Sequence, residues 1–143
     1  MKAIVNAVAA ACWVLLAACT PLAPEYSIEA YGQATRLKAE SLALIAEATG
    51  PIGPEQARID SLRLDVDSAY EFAHGLPNNE IVSQQWALMR DPNGKLLFGL
   101  LRHWEAHPAG LGASFVNEAR GEIGGAFDTI ICLEINKRAA NAC

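Results

Sequence analysis

Two imidazoles stand four residues apart in His103-Trp104-Glu105-Ala106-His107. On a helix that spacing puts both rings on one face, where both can reach a single divalent ion. The order is not His-Glu-x-x-His, so a zinc-protease reading has no support. Pro108 disfavours helical backbone at His107 and would swing that ring off the shared face. His74 is the third imidazole, placed by Gly75 at a helix end, and nothing in the spacing fixes which carboxylates would complete a site. The simpler reading is a pair of helix-terminal histidines beside the negative end of the helix dipole. A metal site on His103 and His107 is the alternative.

Asp60, Asp65, Asp67 and Glu71 make a second stretch acidic, with Asp67 and Glu71 at i, i+4. Paired carboxylates can do acid–base work. A solvated face with Arg58 and Arg63 as neutralising partners explains them more simply. Ser41, Ser61, Ser68, Ser83 and Ser114 lack the Gly-x-Ser-x-Gly context of an activated nucleophile, and no glycine-rich phosphate loop occurs. Trp86 and Trp104 fall on helical seams and read as core. Any exposed part of them would serve as an anchor for a partner.

The cysteines carry more. Lys2 is followed by an apolar run from Ala3 to Leu16, broken only by Asn6. At about 14 residues it is shorter than the roughly 20 a membrane-spanning helix needs, and it has the length of a secretory h-region. It ends in Leu16-Ala17-Ala18-Cys19. This resembles the lipobox of bacterial lipoproteins: a branched apolar residue, two small ones, then cysteine. The resemblance covers about the first twenty residues and implies a diacylglyceryl thioether on Cys19, cleavage in front of it, and acylation of the new amino terminus. Acyl chains at about 0.8 kcal/mol per buried CH₂ make detachment rare. Thr20 after the cysteine implies, by enterobacterial sorting logic, the outer membrane with the domain facing the periplasm. The alternatives are an ordinary secretory signal cut after Ala18 and a plain hydrophobic N-terminal helix.

Cys12 would leave with the signal, and Cys19 would be blocked by lipid. Cys132 and Cys143 remain, in a compartment that permits disulfides. Cys132 lies in the apolar run Ile130-Ile131-Cys132-Leu133, and Cys143 is the last residue. A buried free thiol plus a loose terminal one is the plain reading, and a Cys132–Cys143 bridge is the alternative. No Cys-x-x-Cys pair or zinc spacing is present. The chain of 143 residues has 11 Lys and Arg against 16 Asp and Glu, a net charge of −5. That balance argues against nucleic acid, which needs a basic face. It also argues against adhesion to anionic headgroups by charge, so the lipid would have to anchor the chain.

The elements that must position these residues are helical. After the signal (1–18), residues 19–27 contain two prolines and read as a tether, leaving 28–143 as one domain. A first helix over 28–49 carries Ile28, Tyr31, Leu37, Leu44, Ile45 and Ala48, and Gly50 in a left-handed cap with Pro51 stops it. Pro54 opens a second helix, whose seam is Ile59, Leu62, Val66, Ala69 and Ala73, ended by Gly75 and Pro77. Asn78-Asn79 offers a cap to a short third helix, with Ile81, Val82, Trp86 and Met89 on its apolar side. Asp91-Pro92-Asn93-Gly94 suits a type I turn. Lys95 to about Glu105 is apolar nearly all round, which predicts a central helix. Ser114 caps the last helix, with Val116, Ala119, Ile123, Ala126, Ile130 and Leu133 as its seam and Lys137 and Arg138 near its negative end. Gly121, Gly124 and Gly125 each cost roughly 1 kcal/mol against Ala there, which points to close helix contact, a kink or a groove.

No β-alternation or internal repeat is visible. The expected fold is all-α, a bundle of four or five helices. Asn78-Asn79-Glu80-Ile81, Gln85-Trp86, Asp91-Pro92, Ala126-Phe127-Asp128 and Ile130-Ile131 resemble patterns in small helical bacterial proteins, a likeness that implies no activity. The functional expectation is a non-enzymatic envelope lipoprotein presenting a helical domain to a protein partner, with no cofactor beyond the covalent lipid. Alternatives are a periplasmic metal- or ligand-binding protein using His103 and His107, and an enzyme. An open polar cleft between the last two helices would favour the enzyme.

Overall fold

The computed structural model describes residues 24–139, 141 and 143. The signal, the lipobox with Cys19 and most of the tether lie outside the described residues. Five α-helices and no strand are present among the described residues: α1 (Ile28–Ala46), α2 (Gln56–Gly75), α3 (Glu80–Met89), α4 (Leu97–Ala106) and α5 (Ala113–Asn136). The fold is the all-α bundle that the apolar periodicity predicts. No described helix is long and apolar enough to cross a membrane.

Chain direction alternates, and hydrogen bonds mark the two ends. At one end the Ile52 N–H donates to the Pro108 carbonyl at 3.1 Å and the Leu111 N–H to the Ala48 carbonyl at 2.8 Å. The Trp104 indole N–H donates to the Gly50 carbonyl at 3.1 Å. At the other end the Asn79 side chain donates to the Ala73 carbonyl at 2.8 Å, and Lys137 Nζ donates to Asn79 Oδ1 at 2.6 Å. Pro24 lies at this second end, beside Asn79 and Lys137. The guanidinium of Arg138 lies 5.8 Å from the centre of the Tyr26 ring. The segment beginning at Pro24, where the sequence reads as the last part of a tether, therefore enters at the end where α2 and α3 meet and α5 finishes. We call this the tether end and the other the distal end.

The α2 seam is buried as its spacing predicts. The α1 seam is different. Its buried residues are Ala30, Ala34, Leu37, Ser41, Leu44 and Ile45, while Ile28 is 71 % exposed. Small side chains let α1 and α5 approach closely, and these two helices pack most extensively. Ser27 caps α1 by accepting from the Ala30 N–H at 3.2 Å. Gly50 is extended, not left-handed. The helix instead tightens into a 3-10 turn, Glu47–Thr49, and Gly50 N–H and Leu111 N–H satisfy the Glu47 and Ala48 carbonyls.

Three further expectations are corrected. α4 is two-faced and not central: Leu97, Phe98, Leu100, Leu101 and Trp104 are buried while Arg102, His103 and Glu105 face solvent. Its large side chains hold its backbone off its neighbours. α5 begins at Ala113 with Gly112 at its cap, so Ser114 lies inside the helix and caps nothing. Of the three glycines in α5, Gly124 alone is buried, and a Cβ there would sit in ordinary contact with Leu42, 3.8 Å away. Gly121 and Gly125 face open space, so close packing does not account for them. The turn at 91–94 forms as read, with Gly94 N–H bonded to the Asp91 carbonyl at 3.1 Å and Asn93 N–H to the Asp91 carboxylate at 2.8 Å.

Asp65, Asp67 and Glu71 of α2 find partners outside their own helix, not the neighbours the sequence offered, while Asp60 accepts from Gln56 on the same helix at 3.0 Å. Asp67 pairs with Arg90 at 2.8 Å and Glu71 with the same guanidinium at 3.6 Å, and Arg90 also lies 4.2 Å over the Tyr70 ring. Asp65 pairs with Arg36. Hydrogen bonding to Glu40, with Asp65 adding to it, holds the Arg36 guanidinium above its ordinary pKa. Arg63 grips Glu105 of α4 through two bonds at 2.6 and 3.0 Å. Arg58 pairs with Glu55.

Candidate functional site

An open cleft of about 450 Å³ separates α4 from α5. At one wall Gly99 lets α4 touch the turn before it: a Cβ on Gly99 would sit 2.0 Å from the Gly94 carbonyl oxygen. Leu100 and Ala119 form the apolar part of its lining, and Lys95, Glu118 and Glu122 supply charge of both signs. Phe115 stands at its mouth, 44 % exposed, with its ring 5.1 Å from that of His103. Phe115 belongs to the first turns of α5, where the seam has only begun, so the aromatic ring is left beside the cleft and not in the core. An open cleft between the last two helices is the feature the enzyme alternative calls for; this one is part charged and part apolar, and among the described residues its lining includes no hydroxyl or thiol nucleophile.

His103 lines this cleft and His107 sits beside it, their ring centres 4.3 Å apart. His107 is the cap of α4 with φ −127° and ψ 66°, the departure from helix that Pro108 imposes, yet the expected swing of its ring away from His103 does not follow, because Nδ1 is held against the His103 carbonyl. Its Nδ1 lies 2.9 Å from the His103 carbonyl oxygen. In the Nδ1–H form it donates there, leaving Nε2 as its free ligating atom. His74 is not part of this group, since its ring stacks on Tyr70 at 5.5 Å. Among the described residues no group of three or more His, Cys, Asp or Glu is placed to hold a metal ion. The pair thus offers two nitrogens where a zinc site needs at least three protein ligands.

The tether end holds a second constellation, which the sequence reading did not identify. Glu134 and Lys137 are paired at 2.7 Å with side chains 1 % and 5 % exposed. Lys137 Nζ also reaches Asn79, itself 2 % exposed. Asn79 does not cap α3 with its side chain. It spends both side-chain groups on Ala73 and Lys137, which joins the corner between α2 and α3 to the end of α5. The signal for this was present: Glu134 follows Ile130 by four and Phe127 by seven, the positions of the buried face. A groove of about 230 Å³ beside it is lined by Pro24, Ile81, Val82 and Leu133. Cys132 is half-buried, and its sulfur is bonded to that of Cys143, with Cα atoms 5.9 Å apart. The bridge replaces the plain reading of two free thiols and sets Cys143 beside Cys132 of α5. Trp86 and Trp104 are core residues, 3 % and 0 % exposed.

The arrangement defines a class of object: a five-helix bundle with an ionic clamp at one end and an open cleft toward the other. Compared with known proteins, the chain matches no family model, no curated protein and no solved structure.

Proposed function

We propose that this chain is a membrane-anchored envelope lipoprotein whose helical domain is a non-enzymatic interaction module. The anchor is the lipid on Cys19, and the module engages a protein partner through the cleft between α4 and α5. The observation that carries the reading is the polarity of the bundle. Pro24, five positions after Cys19 in the sequence, lies at one end, and the exposed Phe115 beside His103 lies toward the other. An exposed aromatic ring at the mouth of a partly apolar cleft is the type of feature that anchors a partner. The charged rim of Lys95, Glu118 and Glu122 would set orientation more than affinity.

Intact-mass spectrometry of the protein from bacterial host membranes, beside a Cys19→Ala variant, tests the anchor. The expected result is a chain beginning at Cys19 with added diacylglyceryl and acyl mass, absent in the variant. A soluble chain without lipid removes the reading. The module is tested by photocrosslinking from position 115 in intact envelopes. A discrete adduct is expected at that position and not from position 64 on α2. Turnover of a substrate dependent on His103 would overturn the non-enzymatic part.

A further inference from the structure

The tether end carries exposed apolar side chains that the bundle itself does not use. Ile28, the first residue of α1, is 71 % exposed, and Ile81, in the first turn of α3, is 63 % exposed. Both helices start at this end, so both side chains sit on the same extremity of the bundle. Ile81 and Pro24 line one groove with Val82 and Leu133 as its further apolar walls. Tyr26, half-buried, lies between this extremity and Arg138.

Resting on the lipid-anchor reading above, we propose that this extremity is a bilayer-contacting face, with Ile28 and Ile81 meeting the headgroup and upper acyl region. The distance argument comes first. The five peptide steps from Cys19 to Pro24 reach at most about 18 Å when fully extended. A lipid on Cys19 therefore confines the tether end to the membrane surface, where the local concentration of bilayer is high and weak apolar contacts suffice. Charge does not supply the contact. Glu25, Glu29 and Glu80 flank the two isoleucines. Lys137 is occupied by Glu134 and Asn79, and Arg138, beside Tyr26, is outnumbered by the three carboxylates. The contact is apolar, dependent on the tether and not weakened by salt, which only screens the carboxylates from anionic headgroups. Tyr26 supplies an amphipathic ring of the type that favours the interface. The 19 residues of α1 span about 28 Å, so the cleft beside Phe115 is held roughly that far from the bilayer and points away from it.

The test uses the full-length protein purified from membranes and reconstituted in phosphatidylethanolamine–phosphatidylglycerol vesicles. Single variants Ile28→Cys, Ile81→Cys, Leu64→Cys and Phe115→Cys are labelled with a fluorophore while the Cys132–Cys143 bridge is closed. Lipids bearing a shallow nitroxide are the quencher. All four positions are exposed, so the substitutions leave the core untouched. Quenching at 28 and 81 is expected to exceed that at 64 and 115 at least threefold, and to persist at high salt. Equal weak quenching at all four positions, in a sample whose intact mass shows lipid on Cys19, overturns the inference and leaves the anchor standing. Protection of 28 and 81 without nitroxide quenching assigns the face to a second copy of the chain and also overturns it. Absence of lipid from the mass removes the anchor and this face together.

Discussion

Lys137 is the side chain whose removal should cost this domain most for the atoms deleted. Its ammonium is 5 % exposed and donates to Glu134 Oε1 at 2.7 Å and Asn79 Oδ1 at 2.6 Å. The second carboxylate oxygen of Glu134 is buried and has no hydrogen-bond partner among the described residues. Lys137→Met keeps the stem's length and apolar packing but leaves that carboxylate uncompensated. Breaking a buried pair from one side costs about 3–5 kcal/mol. Local opening sets a ceiling, because the last turn of α5 can fray and hydrate the charge without unfolding the rest. Here the bridge matters: Glu134 and Lys137 both lie inside the loop closed by Cys132 and Cys143. With the bridge closed fraying is restrained and the cost should approach the full value. With it reduced, the cost should fall by about half.

Urea unfolding followed by fluorescence of the buried Trp86 and Trp104 measures this, under oxidising and reducing conditions. The companion variant Glu134→Leu/Lys137→Met replaces both charges by apolar groups. It should regain at least about 2 kcal/mol of the single variant's loss, since apolar replacement of a buried pair is often neutral. A loss below about 1 kcal/mol for Lys137→Met with the bridge closed would refute the reasoning. That outcome would mean the pair behaves as a solvent-screened one. Strict additivity of the two substitutions would refute it equally.

Gly121→Ala and Gly125→Ala should each stabilise the domain by about 0.5–1 kcal/mol, because each is helical, exposed and faces no atom within 4 Å. Thermal unfolding checks it, and a loss at either site would mean that the helix there needs glycine for another reason. Gly99→Ala should instead destabilise by more than about 2 kcal/mol, since its Cβ would meet the Gly94 backbone at 2.0 Å and the turn from 91 to 94 would have to move. Trp104→Phe should cost about 1–3 kcal/mol by orphaning the Gly50 carbonyl that the indole N–H satisfies at 3.1 Å. Equal stability in urea would mean that solvent reaches that carbonyl.

What could be read in advance was whatever is decided within one or two turns of chain. The α2 seam from Ile59 to Ala73 was legible because large apolar residues recur at threes and fours with charges between them. The turn from Asp91 to Gly94 was legible because each residue type suits its own backbone position. So was the departure of His107 from helix, dictated by the proline beside it. The failures share a different physics. Ile28 and Ile81 read as part of the apolar sides of their helices, yet the buried residues of those first turns are Ala30 in α1 and Val82 and Ser83 in α3, so each isoleucine stands one or two positions off the face that packs and turns outward. Ser41 is fully buried in α1 because the helix facing it approaches closely, and no local rule favours serine there.

The ionic clamp shows the same limit from the other side. Lys137 and Asn79 are 58 positions apart in the chain, and the helix-dipole argument places Lys137 only near the negative end of α5. That argument gives the end of the helix and says nothing of burial. The dipole accounts for a cation near the last carbonyls, but burial follows from Asn79, whose amide is fixed by the corner between α2 and α3. A polar residue on the buried face, Glu134, was the trace of this in the sequence. A buried charge requires a partner, and here that partner comes from another corner of the bundle. The clamp joins the point where the tether enters to the helix whose first turns carry the cleft. α5 runs from Phe115 past Cys132 without a break, so the clamp at one end of the bundle and the cleft toward the other are carried by a single helix.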